Sequence, residues 1–275
     1  LDRTLAGLGS QTSRPSSIVV TCDVEDVQIQ VMVEAWARTA PCPVTLVQRA
    51  HTGKSRSSQV RNNGVRALVA QLADADAVLV FLDGDCVPAR TALGAHLQLC
   101  RPRTLVIAFR HDLTEAQTAA FDPARPEETA AISAEQAGSL KSRAGRYRRQ
   151  ALLRRLGLAK PHKPKLLSAN FSVPLADYLA VNGFDERYEG YGQEDDDLGR
   201  RLYRYGCKPV VAIEQATTYH QYHPTRAPGD WHKSPNVSLF NAGGPARCVN
   251  GVENPTPQPL VRTWTWHPGE GQPGR

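Results

Sequence analysis

This 275-residue chain lacks a hydrophobic run long enough to cross a bilayer, and it lacks a close pair of cysteines. A membrane-spanning helix needs about 20 consecutive apolar residues, and thiolate zinc sites are typically built from CxxC pairs. Because the six cysteines are scattered, a reducing compartment is the simplest interpretation, with two or three disulfides as the alternative. Residues 1–16 have no secretion-signal core, and the chain begins without Met, which leaves an absent upstream segment open. We therefore expect a cytoplasmic protein.

Glycine is absent from residues 23–27, the turn that follows the first predicted strand. A nucleotidyltransferase also places a metal-binding acid after a central strand, but it usually has a glycine-rich phosphate loop in this turn. Aromatic residues are scarce in the basic stretch 141–165, where Tyr147 alone can stack on a base, so a sequence-reading nucleic-acid module is disfavoured. A nucleotidyltransferase and a non-enzymatic module that binds a polyanion or a membrane stay as the alternative functions.

Positive charge is concentrated in one part of the chain. The net charge is +6 and the isoelectric point is near 9.1, which favours an anionic partner. Ten basic residues lie between positions 141 and 165, and Leu152, Leu153 and Leu156 interleave with the arginines. The ten are Lys141, Arg143, Arg146, Arg148, Arg149, Arg154, Arg155, Lys160, Lys163 and Lys165. This pattern is typical of a solvated amphipathic helix, or of a docking surface for an anionic acceptor, a membrane leaflet or a nucleic acid. A peripheral position at the inner face of the membrane stays open.

Strand and helix patterns alternate through the first 109 residues. Short apolar, β-branched runs predict strands at 16–22, 44–47, 77–82 and 104–109. Helices are predicted in the first two intervals, from the i, i+3, i+4, i+7 spacing of Ile29, Met32, Val33 and Trp36 and from residues 56–71. This order predicts an α/β fold with a doubly wound, mainly parallel sheet flanked by helices. Pro88 is expected to open the helix after the third strand.

The second half continues this pattern and then loses it. Further strands are predicted at 166–173 and 209–213, and helices at 174–179 and 198–205. We expect an N-terminal extension at 1–15, a single domain at 16–240 with a basic insert at 110–165, and an irregular C-terminal tail at 241–275. The tail is rich in Gly, Pro and Asn, and Trp264 and Trp266 are its only strong anchors.

Two acids flank a glycine directly after the third predicted strand, in Asp83-Gly84-Asp85. Ligands of doubly wound sheets bind at the carboxyl ends of the strands. Carboxylates spaced in this way can reach one hard divalent cation, which can also hold a diphosphate. The position indicates a metal and phosphate site, although Asp and Gly are also common in ordinary turns.

Four consecutive carboxylates, Glu194 to Asp197, follow Gly190-Tyr191-Gly192-Gln193 and open a predicted helix. Like charges at this spacing repel one another, and free N–H groups at a helix start compensate only part of that repulsion. A bound sugar, metal or proton is expected to supply the remainder, unless the acids form a solvated first turn.

These pieces, in this order, resemble the inverting GT-A-type glycosyltransferases of family 2 and the related β-1,4-galactosyltransferases and chondroitin-polymerase-like enzymes. The resemblance covers residues 16–224. It rests on Asp83-Gly84-Asp85, on Val60-Arg61-Asn62-Asn63-Gly64, on Asn182-Gly183-Phe184-Asp185 followed by the acidic run, and on Tyr219-His220-Gln221. The acidic run is similar to the Gly-Trp-Gly-Gly-Glu-Asp-Asp-Asp of the galactosyltransferases, with Tyr191 for Trp and Gln193 for Gly.

The resemblance implies a metal-dependent transfer of a hexose (Gal, GalNAc or Glc type) from a nucleotide-diphosphate sugar, UDP-linked by expectation, to an acceptor hydroxyl. It implies Asp83, Asp85 and His220 as ligands of Mn²⁺ or Mg²⁺, with His223 competing for the place of His220. It also implies inversion at the sugar carbon, with Asp195 as the catalytic base.

The remaining site residues follow from the same resemblance. Sugar contacts are expected from Glu194, Asp196, Tyr191 and Gly192, and nucleotide contacts from Thr21, Asp23, Arg61, Asp83 and Gly84. The sequence departs from the family where the base would lie, because the first strand ends in Thr21-Cys22-Asp23 and the second continues into Gln48-Arg49. These departures leave the nucleobase open.

Overall fold

The structure is a computed structural model that describes residues 1–72, 76–224 and 234–269. Its strands are β1 Ile18–Cys22, β2 Val44–Arg49, β3 Val78–Leu82, β4 Cys86–Pro88, β5 Thr104–Ile107, β6 Arg110–Asp112, β7 Asn170–Pro174, β8 Lys208–Val211, β9 Thr218–His220 and β10 Val261–Trp266. Its helices are α1 Asp2–Gly9, α2 Val27–Ala37, α3 Ser57–Val69, α4 Ala92–Leu99, α5 Glu115–Ala120, α6 Pro126–Thr129, α7 Ala134–Arg155, α8 Leu175–Ala180, α9 Glu194–Tyr205 and α10 Pro235–Ala242.

The strands form mixed sheets, so the α/β prediction is confirmed while the mainly parallel arrangement is wrong. Their orders are β1-β2-β10, β3-β7-β5-β8 and β4-β9-β6. The β1–β2, β5–β8 and β6–β9 pairs are parallel, and the other four pairs are antiparallel. The cause is β7, which enters between β3 and β5 and runs against both of them.

The predicted irregular tail contains a strand of the first sheet. β10 lies antiparallel to β2, with Trp264 opposite Leu46 and Trp266 opposite Val44. Trp264 and Trp266 pack on the core cluster of that sheet, so the two expected anchors act through strand pairing. Residues 270–275 of the predicted tail lie outside the described residues.

The third strand is followed by another strand rather than a helix. Pro88 ends β4, and α4 begins only at Ala92. Proline has no N–H to donate, so it is tolerated at the end of a short strand. This strand is important for the site because β4 pairs with β9.

The N-terminal extension forms α1, whose Gly7 lies against Val87 of β4 and whose Leu5 is buried in the core cluster of the first sheet. A Cβ atom at Gly7 would lie 2.5 Å from a methyl group of Val87, so only glycine allows this approach. The Thr4 hydroxyl donates to the carbonyl of Gly84 at 2.9 Å. The extension therefore braces the Asp-Gly-Asp turn.

The largest core cluster joins the β3-β7-β5-β8 sheet to α8 and α9, and the rings of Phe81 and Phe171 stack at 4.5 Å within it. The basic insert contributes α7, whose Leu140, Ala144 and Tyr147 are buried in the same cluster. Ser133 begins α7 with a reciprocal capping pair to Gln136, which satisfies N–H groups that a helix start leaves free. None of the helices in the described ranges is long and apolar enough to span a bilayer.

Candidate active site

The register of β4 against β9 brings the Asp-Gly-Asp turn to the late histidines. Cys86 lies opposite His220, and the N–H of Gln221 donates to the carbonyl of Asp85 at 3.0 Å. The turn is closed by the N–H of Cys86, which donates to the carbonyl of Asp83 at 3.0 Å. Two chain segments that are distant in the sequence thus meet at one sheet end.

Asp85, His220 and His223 form a group that can hold a metal ion, with one ligand atom from each within 4.8 Å of the others. Nε2 of His220 lies 3.4 Å, and Nε2 of His223 lies 3.2 Å, from Oδ2 of Asp85. Burial acts to raise the pKa of Asp85, but the His220 hydrogen bond and neighbouring positive charge prevail and lower it to about 2. An ionised carboxylate with two imidazoles is a donor set that fits Mn²⁺ and other first-row divalent ions.

Asp112 fixes the orientation of His220 from the side away from Asp85. Its Oδ1 lies 3.0 Å from Nδ1 of His220, so Nε2 is directed toward Asp85. The hydrogen bond to Asp112, followed by that to Asp85, raises the pKa of His220 to about 9 against the effect of burial. A carboxylate in this position behind a metal-binding histidine sets its tautomer and increases its basicity as a ligand.

Asp83 lies outside this three-residue group and is held by arginines. Its Oδ1 accepts from Nη2 of Arg61 at 2.8 Å, and its Oδ2 lies 3.9 Å from Nη1 of Arg110. The metal role of Asp83 therefore stays a prediction. His223, rather than Asp83, is the third member of the group that can hold a metal ion. The predicted nucleotide contact of Asp83 fits a carboxylate that is already oriented by its neighbours.

The acidic helix start is shaped by a tight loop. Gly190, Gly192 and Gln193 have φ angles of 76°, 95° and 75°, a left-handed conformation that glycine adopts at little cost. The N–H of Gly190 donates to the carbonyl of Ser55 at 2.7 Å, and Nδ2 of Asn236 donates to the carbonyl of Gly192 at 2.9 Å. This bracing holds the first turn of α9 against α3 and α10.

The four carboxylates of that turn have different partners. Asp197 pairs with Arg200 at 2.7 Å and with Arg201 at 2.6 Å, and the buried Asp196 pairs with Lys165. Glu194 accepts a hydrogen bond from the Ser57 hydroxyl at 3.4 Å.

Asp195 receives no cationic hydrogen-bond donor among the described residues, and its Oδ1 accepts from the backbone N–H of Asp196 at 2.7 Å. Burial, followed by the charges of Glu194 and Asp196, raises the pKa of Asp195 to about 7. A carboxylate with this pKa is poised to accept a proton near neutral pH. The acid that the resemblance implies as the base is thus the one with the perturbed pKa.

Arg61 connects the acidic helix start to the Asp-Gly-Asp turn. Burial opposes its charge, but Asp83, Glu194 and Asp195 together raise its pKa. Its guanidinium lies 5.4 Å from the centre of the Phe184 ring, and its Nη1 is buried without a hydrogen-bond partner. Asp83 and Asp195 therefore act electrostatically on the same cation, which brings the two acidic segments of the sequence to one site.

The β1 and β2 ends form a polar cluster beside these residues. Asp23 accepts from the N–H of Arg56 at 2.9 Å and lies 3.4 Å from Arg49 and 3.3 Å from His51. Oδ1 of Asp23 is buried and is the oxygen that faces Nη1 of Arg49, so the ion pair with Arg49 compensates its charge. Arg49 is 1% exposed and donates to Gln59 at 2.6 Å.

The other predicted site residues lie at the edges of this region. Thr21 is packed against α3, where a Cβ atom at Gly64 would lie 2.5 Å from its methyl group. Tyr191 is 58% exposed on the glycine loop. Gly84 is near α1, to which it offers its carbonyl.

Several site residues escaped the sequence-based prediction. Asp112, Arg110 and Lys165 lie in or next to the insert, where no motif distinguishes them from a solvated polar surface. His223 was named only as a competitor of His220. Asp112 lies opposite His220 because of the parallel β6–β9 register. No local sequence pattern reveals that register, so the sequence offered no signal for this residue.

Comparison with known proteins supports the resemblance to GT-A-type glycosyltransferases. Residues 158–224 match a family model described as the N-terminal domain of galactosyltransferase. A stretch of 59 residues is 42% identical to validoxylamine A glucosyltransferase from Streptomyces hygroscopicus subsp. jinggangensis (strain 5008) and, equally, to the protein of that name from subsp. limoneus. The stretch covers 21% of this chain but only 14% and 13% of those proteins.

Among solved structures, the chain is similar to the mannosyltransferase PcManGT from Pyrobaculum calidifontis, which was solved in complex with GDP-Man and Mn²⁺. The TM-score is 0.52 and the identity 15%, over 88% of this chain and 60% of that one. These matches confirm the resemblance at the level of the fold: the chain has a GT-A glycosyltransferase fold, with a segment at residues 158–224 that is similar to galactosyltransferases.

Proposed function

We propose that this protein is a metal-dependent, inverting glycosyltransferase that moves a hexose from a nucleotide-diphosphate sugar to an acceptor hydroxyl. The observation that carries the proposal is the shared position of Arg61, which pairs with Asp83 and also stabilises Glu194 and Asp195. The group that can hold a metal and Asp195, the carboxylate with a raised pKa, thus lie on either side of Arg61. A glycosyl transfer needs a metal at the diphosphate and a base at the acceptor hydroxyl.

Asp85, His220 and His223 are the residues that would hold the metal. A divalent cation bound there would supply Lewis-acid stabilisation of the diphosphate, which leaves with the electrons of the bond to the sugar carbon. Asp112 maintains Nε2 of His220 as the metal-binding atom, and Arg61 and Arg110 add fixed positive charge beside Asp83. Preorganised charge of this kind is effective because it costs little reorganisation during the reaction.

Asp195 acts at the other end of the sugar. One oxygen is occupied by the N–H of Asp196, which leaves the other free to accept the proton of the acceptor hydroxyl. The hydroxyl oxygen then bonds to the sugar carbon on the face opposite the diphosphate, and the configuration is inverted. Glu194 is placed to accept hydrogen bonds from sugar hydroxyls, whereas the carboxylate of Asp196 is buried against Lys165, so a sugar contact from Asp196 would need that pair to open.

The donor is assigned by class, and its base and sugar are to be measured. A UDP-linked hexose is the expectation from the sequence, while the similar mannosyltransferase was solved with GDP-Man and the curated relatives are named as glucosyltransferases. Mn²⁺ fits the mixed carboxylate and imidazole donors better than Mg²⁺, which prefers oxygen ligands.

A donor-hydrolysis screen tests the proposal. Purified protein is incubated with UDP-, GDP- and dTDP-linked glucose, galactose and mannose, with Mn²⁺, with Mg²⁺ or with EDTA, and nucleotide release is measured. We expect release from one base class, dependent on the metal and lost in Asp85→Ala. Metal-independent release, or no release from any donor while Mn²⁺ binds at Asp85, would contradict the proposal.

A further inference from the structure

The insert helix α7 has a buried stripe and an opposite face that nothing covers among the described residues. Leu140, Ala144, Tyr147 and Ala151 form the buried stripe, with the i, i+4, i+7, i+11 spacing of one helix side. The other side carries Arg146, Arg149, Leu152 and Leu156. Together with Arg155 at the end of the helix and with Leu158 and Lys160 in the following turn, these residues form what we call the leucine–arginine face.

The leucines of this face are exposed to solvent. Leu152 is 56%, Leu156 is 62% and Leu158 is 72% exposed. Leu152 and Leu156, the residue that caps the end of the helix, are one turn apart and adjoin each other, and Leu158 lies three residues after α7 ends. Single exposed leucines are ordinary, but three within seven positions make a local apolar projection.

The basic residues around these leucines have no acidic partner in the described part of the chain. Arg146, Arg149, Arg155 and Lys160 are exposed and form none of the ion pairs found there. In contrast, Arg148 on the flank of the helix pairs with Glu214. The charge that would compensate the face must therefore come from ions or from a partner.

We propose that the leucine–arginine face docks on an anionic lipid bilayer, with the leucines inserted at the level of the headgroups and the cations on lipid phosphates. An amphipathic helix with basic and apolar side chains binds such surfaces in the interfacial plane. A second copy of this chain is disfavoured because two such faces repel each other. A nucleic acid is disfavoured because it does not require exposed leucines, and the one aromatic of the helix, Tyr147, is 7% exposed.

The turn that carries Leu158 and Lys160 is held in place by its neighbour Arg154. The guanidinium of Arg154 donates to the carbonyls of Lys160 and Pro161, at 2.5 and 2.9 Å, and to that of Lys163. It also lies 4.0 Å from the centre of the Tyr203 ring. Because the turn is already ordered, docking costs little conformational entropy.

The docking face is close in sequence and in space to the proposed active site. Lys165, five positions after Lys160, pairs with Asp196, which adjoins Asp195. Docking would therefore hold the acidic helix start near the bilayer surface. This orientation rests on the proposed function, whereas the docking itself does not.

Vesicle flotation of the full chain tests the docking. The protein is mixed with vesicles of phosphatidylcholine alone, or of phosphatidylcholine with a minority of phosphatidylglycerol, and the bound fraction is measured at low and high salt. We expect binding to the anionic vesicles only and a loss of binding as salt increases, since each Lys or Arg near an anionic leaflet strengthens binding roughly fivefold.

Two matched pairs of variants locate the surface. Arg149→Gln with Arg155→Gln should weaken binding to the anionic vesicles about 25-fold, whereas Arg14→Gln with Arg90→Gln removes two exposed arginines elsewhere and should change it little. Leu152→Ser with Leu156→Ser and Leu158→Ser should weaken it at least tenfold, whereas Leu97→Ser with Leu260→Ser should not. All of these side chains are exposed, so the thermal melts should agree with the parent.

The proposal is overturned if the control variants lose binding as much as the face variants, or if neutral vesicles bind equally well. It is also overturned if a heparin or RNA competitor binds the face with no loss in the leucine variant, or if the leucine variant dissociates a dimer. None of these readouts depends on sugar transfer, so a failure of the enzymatic proposal would be distinguishable from a failure of docking.

Discussion

The two acidic segments of this protein have opposite electrostatic settings. Asp85 is surrounded by two imidazoles, and the pKa of its carboxyl is lowered to about 2. Asp195 lies among other carboxylates in a buried helix start, and its pKa is raised to about 7. Asp85 is therefore ionised near neutral pH, whereas Asp195 exchanges a proton there.

The difference shows that neighbouring charges decide whether an aspartate is ion-paired or exchanges a proton. Within α9, Asp197 is paired with arginines and Asp196 with Lys165, so these two acids support the fold. Asp195, like Glu194, forms no such ion pair among the described residues, and the raised pKa of Asp195 suits a proton acceptor. Of the two acidic segments, Arg61 contacts the Asp-Gly-Asp turn directly, because its Nη2 lies 2.8 Å from Oδ1 of Asp83.

Removing Asp85, the carboxylate proposed to bind the metal, should have the largest effect. We expect Asp85→Ala to lower transfer by at least about 10³-fold, because metal stabilisation of the leaving diphosphate is worth several kcal/mol. Glu128→Ala, at an exposed surface acid, is the matched control. The measurement is transfer of labelled sugar with a Mn²⁺ titration, and retained metal-dependent turnover in Asp85→Ala would break the comparison.

Removing the proton acceptor should lower transfer by about 10²–10⁴-fold, the usual contribution of a general base. In Asp195→Asn we expect Mn²⁺ and donor to bind as in the parent, because the metal-binding residues are intact. Isothermal titration alongside a single-turnover assay separates the two effects. Turnover like that of the parent would show that another group takes the proton.

Arg61→Gln should lower kcat/KM by about 10–100-fold, the range for a lost charged hydrogen bond. The variant leaves Asp83, Glu194 and Asp195 with less compensation, so the pKa of Asp195 should rise. Arg61→Lys should restore part of the loss because it returns the charge without the planar donor pair. Equal activity in both variants and the parent would remove Arg61 as the link between the segments.

The pH profile sharpens the comparison further. Transfer should increase with pH through a midpoint near 7, since Asp195 acts in its ionised form. Glu194→Gln removes a neighbouring charge that raises the pKa of Asp195, so its midpoint should lie at lower pH. An unchanged midpoint in Glu194→Gln would assign the titration to another group.

The smallest expected effect is on stability. When the pKa of a carboxyl is higher in the folded state than in the unfolded state, the protein loses stability as pH rises between the two values. Asp195→Asn should therefore raise the free energy of unfolding at pH 8 and leave it nearly unchanged near pH 3. Chemical denaturation at both pH values measures this, and a destabilised variant at pH 8 would contradict the raised pKa.

Local patterns in the sequence were sufficient for the long elements of the fold. Runs of β-branched residues located β1, β2 and β3, and the first and third of these mark the ends where Asp23 and Asp83 lie. The direction of β7 and the pairing of β10 could not be read in the same way, because both depend on contacts between distant segments. The small β4-β9-β6 sheet was missed because its strands are only three residues long.

The candidate site shows the same division. Asp85, His220 and Asp195 were expected from motifs that each lie in one stretch of sequence. Asp112 behind His220 and Lys165 on Asp196 were not expected, since their roles arise from strand register and from the docking of α7 on the core. The sequence shows that the four acids of α9 need compensating positive charge. Which cation pairs with which acid is known only from the structure.

A crystal structure of Asp195→Asn with Mn²⁺ and the donor found in the screen tests the central claim most directly. The anomalous signal of manganese should give one strong peak bonded to Asp85 and His220, with the substituted amide side chain facing the sugar carbon from the side opposite the diphosphate. A manganese peak away from Asp85, or a sugar bound with that amide directed out of its site, would contradict the account.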